Sequence, residues 1–584
     1  MKNNRSARKR IIRKSYVRLL LLGIVTLMAT NICGFIDNVV ISRYLDPRAL
    51  AAVGYYSPLS VVTGIGYVVI LGTASLCGNF IGAGQQSKVN RLFTTAFITL
   101  FLIFAAFSVL FISARGMLSS VLGARNEARR LLGEYLVGYA PSIVFSSLSA
   151  LLMSLASFND EINRSYVAIA AMLLGNILFD VLLVKPFGIL GIGLASTLSS
   201  LAAFAVLLPA FVKHRQTIHL ERAAFDAGLL LQAAKRGLPA LLFSAGMLAK
   251  NGLLNYTMAV YAGDEGVALI GLLGSFCAIV GTLTGGCTNA YSTLASLSYG
   301  EEDRQGYIDA FRIASRIGVA VTALMAAAIA ALSAPLSSFF FETGTGVWNM
   351  ARSMFVLGFL FFPINVIINL LMNSYKAQGR MTLVNVMSFV EIALIGVLAL
   401  VTVPRMGINA AWLANTWSDL IALAVILISA CVWKGGVRLG MSDLLKLPEE
   451  FGANPDEFVE CAASSMGDVS AISEAVVVHC VSRGVDRRKA FLAGLCVEEL
   501  VKNVLQHGVT GKERCNVNVR VVCKKALTIR LQDDCRKFDP RERMQMYTPE
   551  TPEKNIGLRM VAGLATQIDY YNNAGINTLI IKID

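Results

Sequence analysis

At 584 residues, with a mean hydropathy of +0.61 and only 15% charged residues, the chain is too apolar for a soluble protein; soluble proteins carry about 25%. The formal net charge of +14 raises nucleic acid as a partner, but residues 449–584 hold 18 basic against 19 acidic side chains. The surplus sits in the apolar part, where it marks loops kept on one side of a membrane, so nucleic-acid binding is set aside.

In chain order, the basic opening from Lys2 to Arg18 runs into an apolar stretch that continues to about residue 44. That exceeds the roughly 7–15 apolar residues of a secretory signal, so an uncleaved first span is expected. A helix crosses hydrocarbon with about 20 apolar residues, and roughly twelve such stretches precede residue 435. Basic residues recur at Lys88 and Arg91, at Lys213, Arg215, Lys235 and Arg236, at Arg304 and Arg312, at Lys376 and Arg380, and at Lys434 and Arg438. These fall on alternate loops, which places both termini in the cytoplasm of a multi-pass cell-membrane protein, although Arg125, Arg129 and Arg130 break the pattern. The expected divisions are a basic N-terminus (1–18), a first lobe (19–213), a cytoplasmic loop (214–235), a second lobe (236–434), a linker (435–455) and a soluble domain (456–584).

The membrane part repeats itself at an offset of about 220 residues, as transporters built from two halves do. Gly188-Ile-Leu-Gly-Ile-Gly-Leu-Ala-Ser-Thr197 echoes Gly407-Ile-Asn-Ala-Ala-Trp-Leu-Ala-Asn-Thr416, Gly138–Pro141 echoes Gly358–Pro363, and Gly82 and Gly300 each close a span. Ile36-Asp37-Asn38-Val39-Val40, followed by Leu50-Ala51-Ala52-Val53-Gly54, resembles the opening of MATE (multidrug and toxic compound extrusion) transporters. Gly82-Ala83-Gly84, Gly237-Leu238-Pro239 and Tyr299-Gly300 extend the resemblance over residues 15–435. It implies an all-α membrane bundle of about twelve helices in two six-helix lobes around a cavity of alternating access. It also implies export of organic cations or drugs in exchange for Na⁺ or H⁺.

Charged groups in hydrocarbon cost roughly 2.5–3.5 kcal/mol each, so those retained are functional candidates. Asp37 falls in the first span, Asn176 and Asp180 one turn apart on the fifth, and Thr197 on the sixth. Their oxygens suit a small hard cation, and protonation would neutralise the same set. All four match positions of the first-lobe cation site that the resemblance implies. In the second half, Lys250 and Asn255 lie on the seventh span and Glu391 and Asp419 on the eleventh and twelfth. Asn365, Asn369 and Asn373 form an amide stripe on the tenth. Lys250, Asn255, Asn369 and Glu391 are cavity candidates; a structural ion pair from Lys250 to Glu391 or Asp419, and helix-to-helix hydrogen bonding by the amides, are the alternatives.

After a linker around Pro448–Pro455, the pattern predicts a strand at Phe458–Ala462, a helix over 467–483 and a second from Asp486 to His507. Two strands follow at 517–521 and 527–531, then a helix from Leu558 and a last strand at 578–583. This is a cytoplasmic α/β sandwich, and its cysteines, which show no metal spacing, are expected to be free thiols. Glu499-x-x-x-Asn503, Asp533-Asp534-Cys535 and Asn555-Ile-Gly557 in this order resemble the GHKL ATPase fold, within it the anti-sigma-factor serine-kinase-like group. The resemblance implies Asn503 on Mg²⁺, Glu499 orienting a water or hydroxyl as the catalytic residue, Asp533 on adenine and Gly557 at the phosphates of Mg-ATP. Cys535, Lys537 and Asn555 stand where that family carries glycines for close backbone approach, which argues against ATPase or kinase turnover. The expectation is thus an ion-coupled exporter in the lipid bilayer with a regulatory nucleotide-binding-like tail. The alternatives are a membrane-anchored signalling protein whose tail captures a protein partner, and a flippase for lipid-linked oligosaccharides.

Overall fold

The computed structural model describes residues 2–45, 49, 53, 56, 59, 61–122, 126–212, 217–221, 225–454, 456–463, 465–507, 516–524, 527–537, 539 and 561–583. Short connecting helices aside, the body comprises α1 (Lys2–Tyr44), α2 (Val61–Gly82), α3 (Gln86–Ser113), α4 (Asn126–Leu155), α5 (Ile162–Phe187), α6 (Ile189–Leu207) and α7 (Ala227–Gly300). It continues with α8 (Arg304–Ala331), α9 (Gly346–Leu357), α10 (Phe362–Ala377), α11 (Met381–Met406) and α12 (Asn409–Lys434). The basic opening is helical and continuous with the first span, so the 43-residue α1 is about 65 Å long and reaches well beyond one bilayer.

The expected twelve spans differ from the helices seen. Among the described residues nine helical stretches are long and apolar enough to cross, or ten if α9 and α10, bent by 43°, are one broken span. Two stretches are far too long for a single crossing: Ile162–Val212 with 51 residues and Ala227–Gly300 with 74. The first turns at Gly188 (φ 58°, ψ −133°), and the second at Gly263 (φ 60°, ψ −155°). A side chain resists that backbone, so glycine makes the corner. Gly407 (φ 79°) ends α11 as Gly188 ends α5, each two or three residues after a helix-terminal proline, Pro186 or Pro404. The repeat differs at the other echo: Pro141 lies inside an unbroken α4, whereas Gly358 to Phe361 interrupts α9–α10.

The two halves meet backbone to backbone at the end of the bundle that carries the tail. A Cβ on Gly82 would sit 2.3 Å from the Leu297 carbonyl oxygen, and one on Gly300 would sit 2.1 Å from that of Asn79. Beside them Asn79 Nδ2 donates to the Ala377 carbonyl at 2.9 Å. At this end α2 and α7 leave no space between them.

The tail is a five-stranded antiparallel sheet in the order β1-β2-β3-β5-β4. Its strands are β1 (Phe458–Ala463), β2 (Val517–Cys523), β3 (Leu527–Asp533), β4 (Gln567–Asn573) and β5 (Ile576–Ile583). Helices α13 (Asp468–Ser482) and α14 (Arg487–His507) cover one face. Val519, Val521, Ile529, Leu531, Leu579 and Ile581 point into that core with Val476, Val497 and Val501. Because strand side chains alternate, Asn518, Arg520, Thr528, Arg530, Thr578 and Ile580 occupy the other face. That face packs on the body: Ile580 and Tyr571 join the apolar cluster of the first half, and Ala574 joins the cluster formed around α1, α8 and α10. β4 escapes the sequence pattern, because Gln567–Asn573 carries polar residues that are buried against the body. Most of the expected helix from Leu558 lies outside the described residues; the described part, 561–564, is helical. Cys535 is disulfide-bonded, which corrects the expectation of free thiols throughout the tail.

Candidate functional site

In the first half, α1, α5 and α6 converge on the acidic group. Asn176 and Asp180 are one helical turn apart on α5 and face inward, at 2% and 0% exposure. Asn176 Nδ2 donates to Asp37 Oδ1 at 3.0 Å, and Asp180 lies within hydrogen-bonding reach of Asp37. Ser196 Oγ on α6 donates to the Ile192 carbonyl at 3.3 Å and lies beside Asp37. The fourth predicted residue is placed differently: Thr197 Oγ1 donates to the Gly138 carbonyl of α4 at 2.7 Å, so its hydroxyl serves the α4–α6 contact.

Among the described residues, both Asp180 oxygens and Asn176 Oδ1 are buried without a donor, and two neighbouring carboxylates repel. The large majority of buried side-chain polar atoms in folded proteins have a partner. A proton shared between Asp37 and Asp180 would relieve their repulsion and satisfy one oxygen, and a cation among Asp37, Asp180 and the Asn176 oxygen would answer the rest. The residues present therefore fit a Na⁺ ion or a proton, both of which prefer hard oxygen donors.

Sequence reasoning missed the aromatic wall beside this site. Tyr135 and Tyr139 stack at 5.2 Å on α4, Tyr56 meets Tyr139 edge-on at 4.9 Å, and both α4 tyrosines lie close enough to Asp37 to feel its charge. The available signal was the i, i+4 tyrosine spacing within an apolar span, which places both rings on one face.

The second half holds a parallel group. Asn365 Nδ2 donates to Glu391 Oε1 at 3.2 Å, and Asn369 Nδ2 donates to Asn365 Oδ1 at 2.9 Å. Asp419 lies within hydrogen-bonding reach of Glu391, and its Oδ2 is buried without a donor. The amide stripe thus runs along α10 to a carboxyl. Lys250 forms no ion pair with Glu391 or Asp419 among the described residues. Asn255 is exposed on the helix surface and stands apart from this group.

In the tail, Asn503 Nδ2 donates to Glu499 Oε1 at 2.9 Å along one face of α14. Asp533 ends β3 on the helix-covered side of the sheet and accepts from Asn577 Nδ2 at 2.7 Å and from the Cys535 amide at 3.0 Å. Burial pushes its carboxyl up to about 6. The side chain of His507 and all of Gly557 lie outside the described residues.

The family model MatE matches residues 23–183 and 239–402, and the histidine kinase-like ATPase domain matches residues 462–583. A protein of Shewanella oneidensis named FAD transporter is 29% identical over 220 residues, 35% of this chain and 46% of that protein. The chain thus spans about half the length of the curated relative it matches. Among solved structures, a MOP-superfamily transporter from Pyrococcus furiosus, described as having reversed binding-pocket polarity, is 20% identical with TM-score 0.64, covering 72% of this chain and 95% of its own. An outward-facing multidrug resistance MATE transporter is 18% identical with TM-score 0.65, covering 75% and 97%. At these identities the likeness is one of fold.

Proposed function

The chain belongs to the MatE family, and on that premise we propose that it is a secondary active exporter driven by inward exchange of Na⁺ or H⁺. In this reading twelve spans form two six-helix lobes, the corners at Gly188 and Gly263 each dividing one long helical stretch into two crossings. The lobes rock about a central cavity, and both termini lie in the cytoplasm of the plasma membrane. One observation carries the proposal: Asp37, Asn176 and Asp180 meet inside the bundle, and both Asp180 oxygens and Asn176 Oδ1 lack a donor among the described residues. An exchanging ion is the simplest species that completes such a site in one state and leaves it in another. Asp37 and Asp180 hold the ion, while Asn176 fixes the Asp37 carboxylate.

The cargo is a small organic molecule. The site tyrosines suit a flat or cationic compound through their π faces, and the name of the Shewanella relative adds a flavin nucleotide to the compounds worth testing. The tail is the regulatory part. Glu499, Asn503 and Asp533 form the metal and base ends of a Mg-ATP site whose glycine boxes are too poor for rapid turnover.

The test is uptake into proteoliposomes under an imposed Na⁺ or proton gradient, with a cationic dye and a flavin nucleotide as alternative cargoes. Gradient-dependent uptake by the wild type and its loss in Asp180→Asn are expected. Full uptake by that variant would overturn the assignment of the ion site.

A further inference from the structure

The tail reaches the body through the sheet face opposite its nucleotide-site residues, and that contact is built from charge. Arg520 on β2 and Arg530 on β3 are adjacent across the antiparallel ladder, and 5% and 6% exposed. Both guanidinium groups meet the turn between α7 and α8. Arg530 Nη2 pairs with Asp303 at 2.6 Å, its Nη1 pairs with Glu301, and Arg520 pairs with the other Asp303 oxygen. Tyr571 of β4 donates to Glu301. Burial alone would raise the Asp303 carboxyl, yet Arg530, Arg520 and Arg8 together hold it well below the usual carboxylate range.

The same cluster takes in the other half of the body. Arg8 of α1 is 2% exposed and bridges Asp309 on α8 and Glu460 on β1, each at 2.7 Å. Further contacts fall on the first half alone: Gln567 Nε2 donates to the Gly84 carbonyl at 3.1 Å, and the Ala574 amide donates to the Ser157 carbonyl at 3.2 Å. Others fall on the second half: Arg304 grips the Pro448 carbonyl at 2.6 Å, and Phe451 stacks on Tyr299 at 4.9 Å. All of these lie where Gly82 and Gly300 press together.

From this placement we infer that the tail is a strap across the two lobes, which holds the cytoplasmic end of the transporter closed until it lets go. The physical reason is simple. Parting of the lobes at that end separates α2 from α7 and α1 from α8, which breaks the Arg8–Asp309 pair directly and requires the tail to release its contacts with one half or the other. Buried ion pairs resist this strongly, because separating them strands charge away from both water and partner. Among the described residues Glu499 and Asn503, on the helix-covered side, make no hydrogen bond or ion pair to the body, so a ligand or partner can bind there while the strap is fastened. The inference rests on the two-lobe alternating reading above and deepens its regulatory part.

The test is pulsed electron–electron distance measurement on the full chain in lipid nanodiscs. One spin-label pair, at Ser87 and Thr382, spans the lobes; a second, at Ser482 and Thr382, reports docking of the tail. Arg530→Glu breaks the cluster from the tail side and Arg8→Glu from the body side, with Arg530→Gln as the milder change should a reversed charge prevent folding. The expected result is a shift of the docking pair to longer distance, with a new long-distance population across the lobes that is absent from the wild type. Combining Arg530→Glu with Glu301→Lys should restore both distributions. Undocking with an unchanged lobe distance would overturn the inference, and so would a tail that stays docked in all the variants. Since neither distance needs cargo or a gradient, failure of gradient-driven uptake would count against the exporter reading alone.

Discussion

Two buried acidic groups in this protein have opposite fates. At the junction with the tail, Asp303 is surrounded by Arg520, Arg530 and, more distantly, Arg8, and its charge is answered. Within the bundle, buried Asp180 and half-buried Asp37 face each other with an amide and a hydroxyl as their polar neighbours among the described residues. Both arrangements are costly to assemble. The first is completed by fixed cations and so behaves as a strut; the second, in the function proposed above, is completed by an ion that can leave. On that reading charge balance, more than burial, separates a structural cluster from a transport site.

The sharpest way to break this comparison is to neutralise the bundle carboxyls. Asp37→Asn is expected to abolish gradient-driven uptake as Asp180→Asn does, with normal membrane insertion measured by extraction and gel filtration. Thr197→Ala should keep uptake, because its hydroxyl is spent on Gly138; a loss equal to that of Asp37→Asn would bring Thr197 back into the ion site. Next in size, Arg530→Ala takes the arginine from buried Glu301 and one of the two arginines from Asp303, and docking should weaken by about 3–5 kcal/mol, the usual result of removing one partner of a buried pair. Faster proteolytic release of the tail from the full-length protein would register it.

Asp533→Asn should have a smaller effect of opposite sign. The folded-state carboxyl titrates near 6, above its ordinary value, so ionisation costs the folded state. That cost is absent below about pH 4, grows as pH rises toward 6 and is constant above, reaching roughly 3 kcal/mol. Slower hydrogen exchange in β3 and β5 of the variant at pH 7, with the difference vanishing near pH 4, is expected, along with loss of nucleotide binding. The least effect belongs to Lys14→Ala. Lys14 is 53% exposed and meets Asp534 at 3.2 Å, and exposed pairs contribute only about 0–1 kcal/mol. A change in docking comparable to that of Arg530→Ala would mean that the strap is fastened elsewhere.

The sequence carried what depends on neighbours along the chain. Apolar run length found the membrane-competent helices but not their number, Gly188 and Gly407 marked equivalent corners, and the i, i+4 step put Asn176 and Asp180 on one face. It also set the two Val- and Ile-rich strands and both long helices of the tail. What it hid depends on partners remote in the chain. Arg520 and Arg530 look like the solvent side of half-buried strands, because nothing local announces that Glu301 and Asp303 will cover them. β4 fails for the same reason: its polar residues are buried against the body, which removes the alternation that would reveal a strand. The hydrogen bond from Thr197 to the Gly138 carbonyl of α4 likewise depends on a partner remote in the chain.

Direct ion binding to the full-length protein in detergent, followed as proton release or as ²²Na⁺ retention and titrated with and without cargo, tests the central claim most directly. The account predicts that the wild type binds H⁺ or Na⁺ and gives it up on cargo addition, and that Asp180→Asn does neither. Undiminished, cargo-sensitive ion binding in that variant would contradict it.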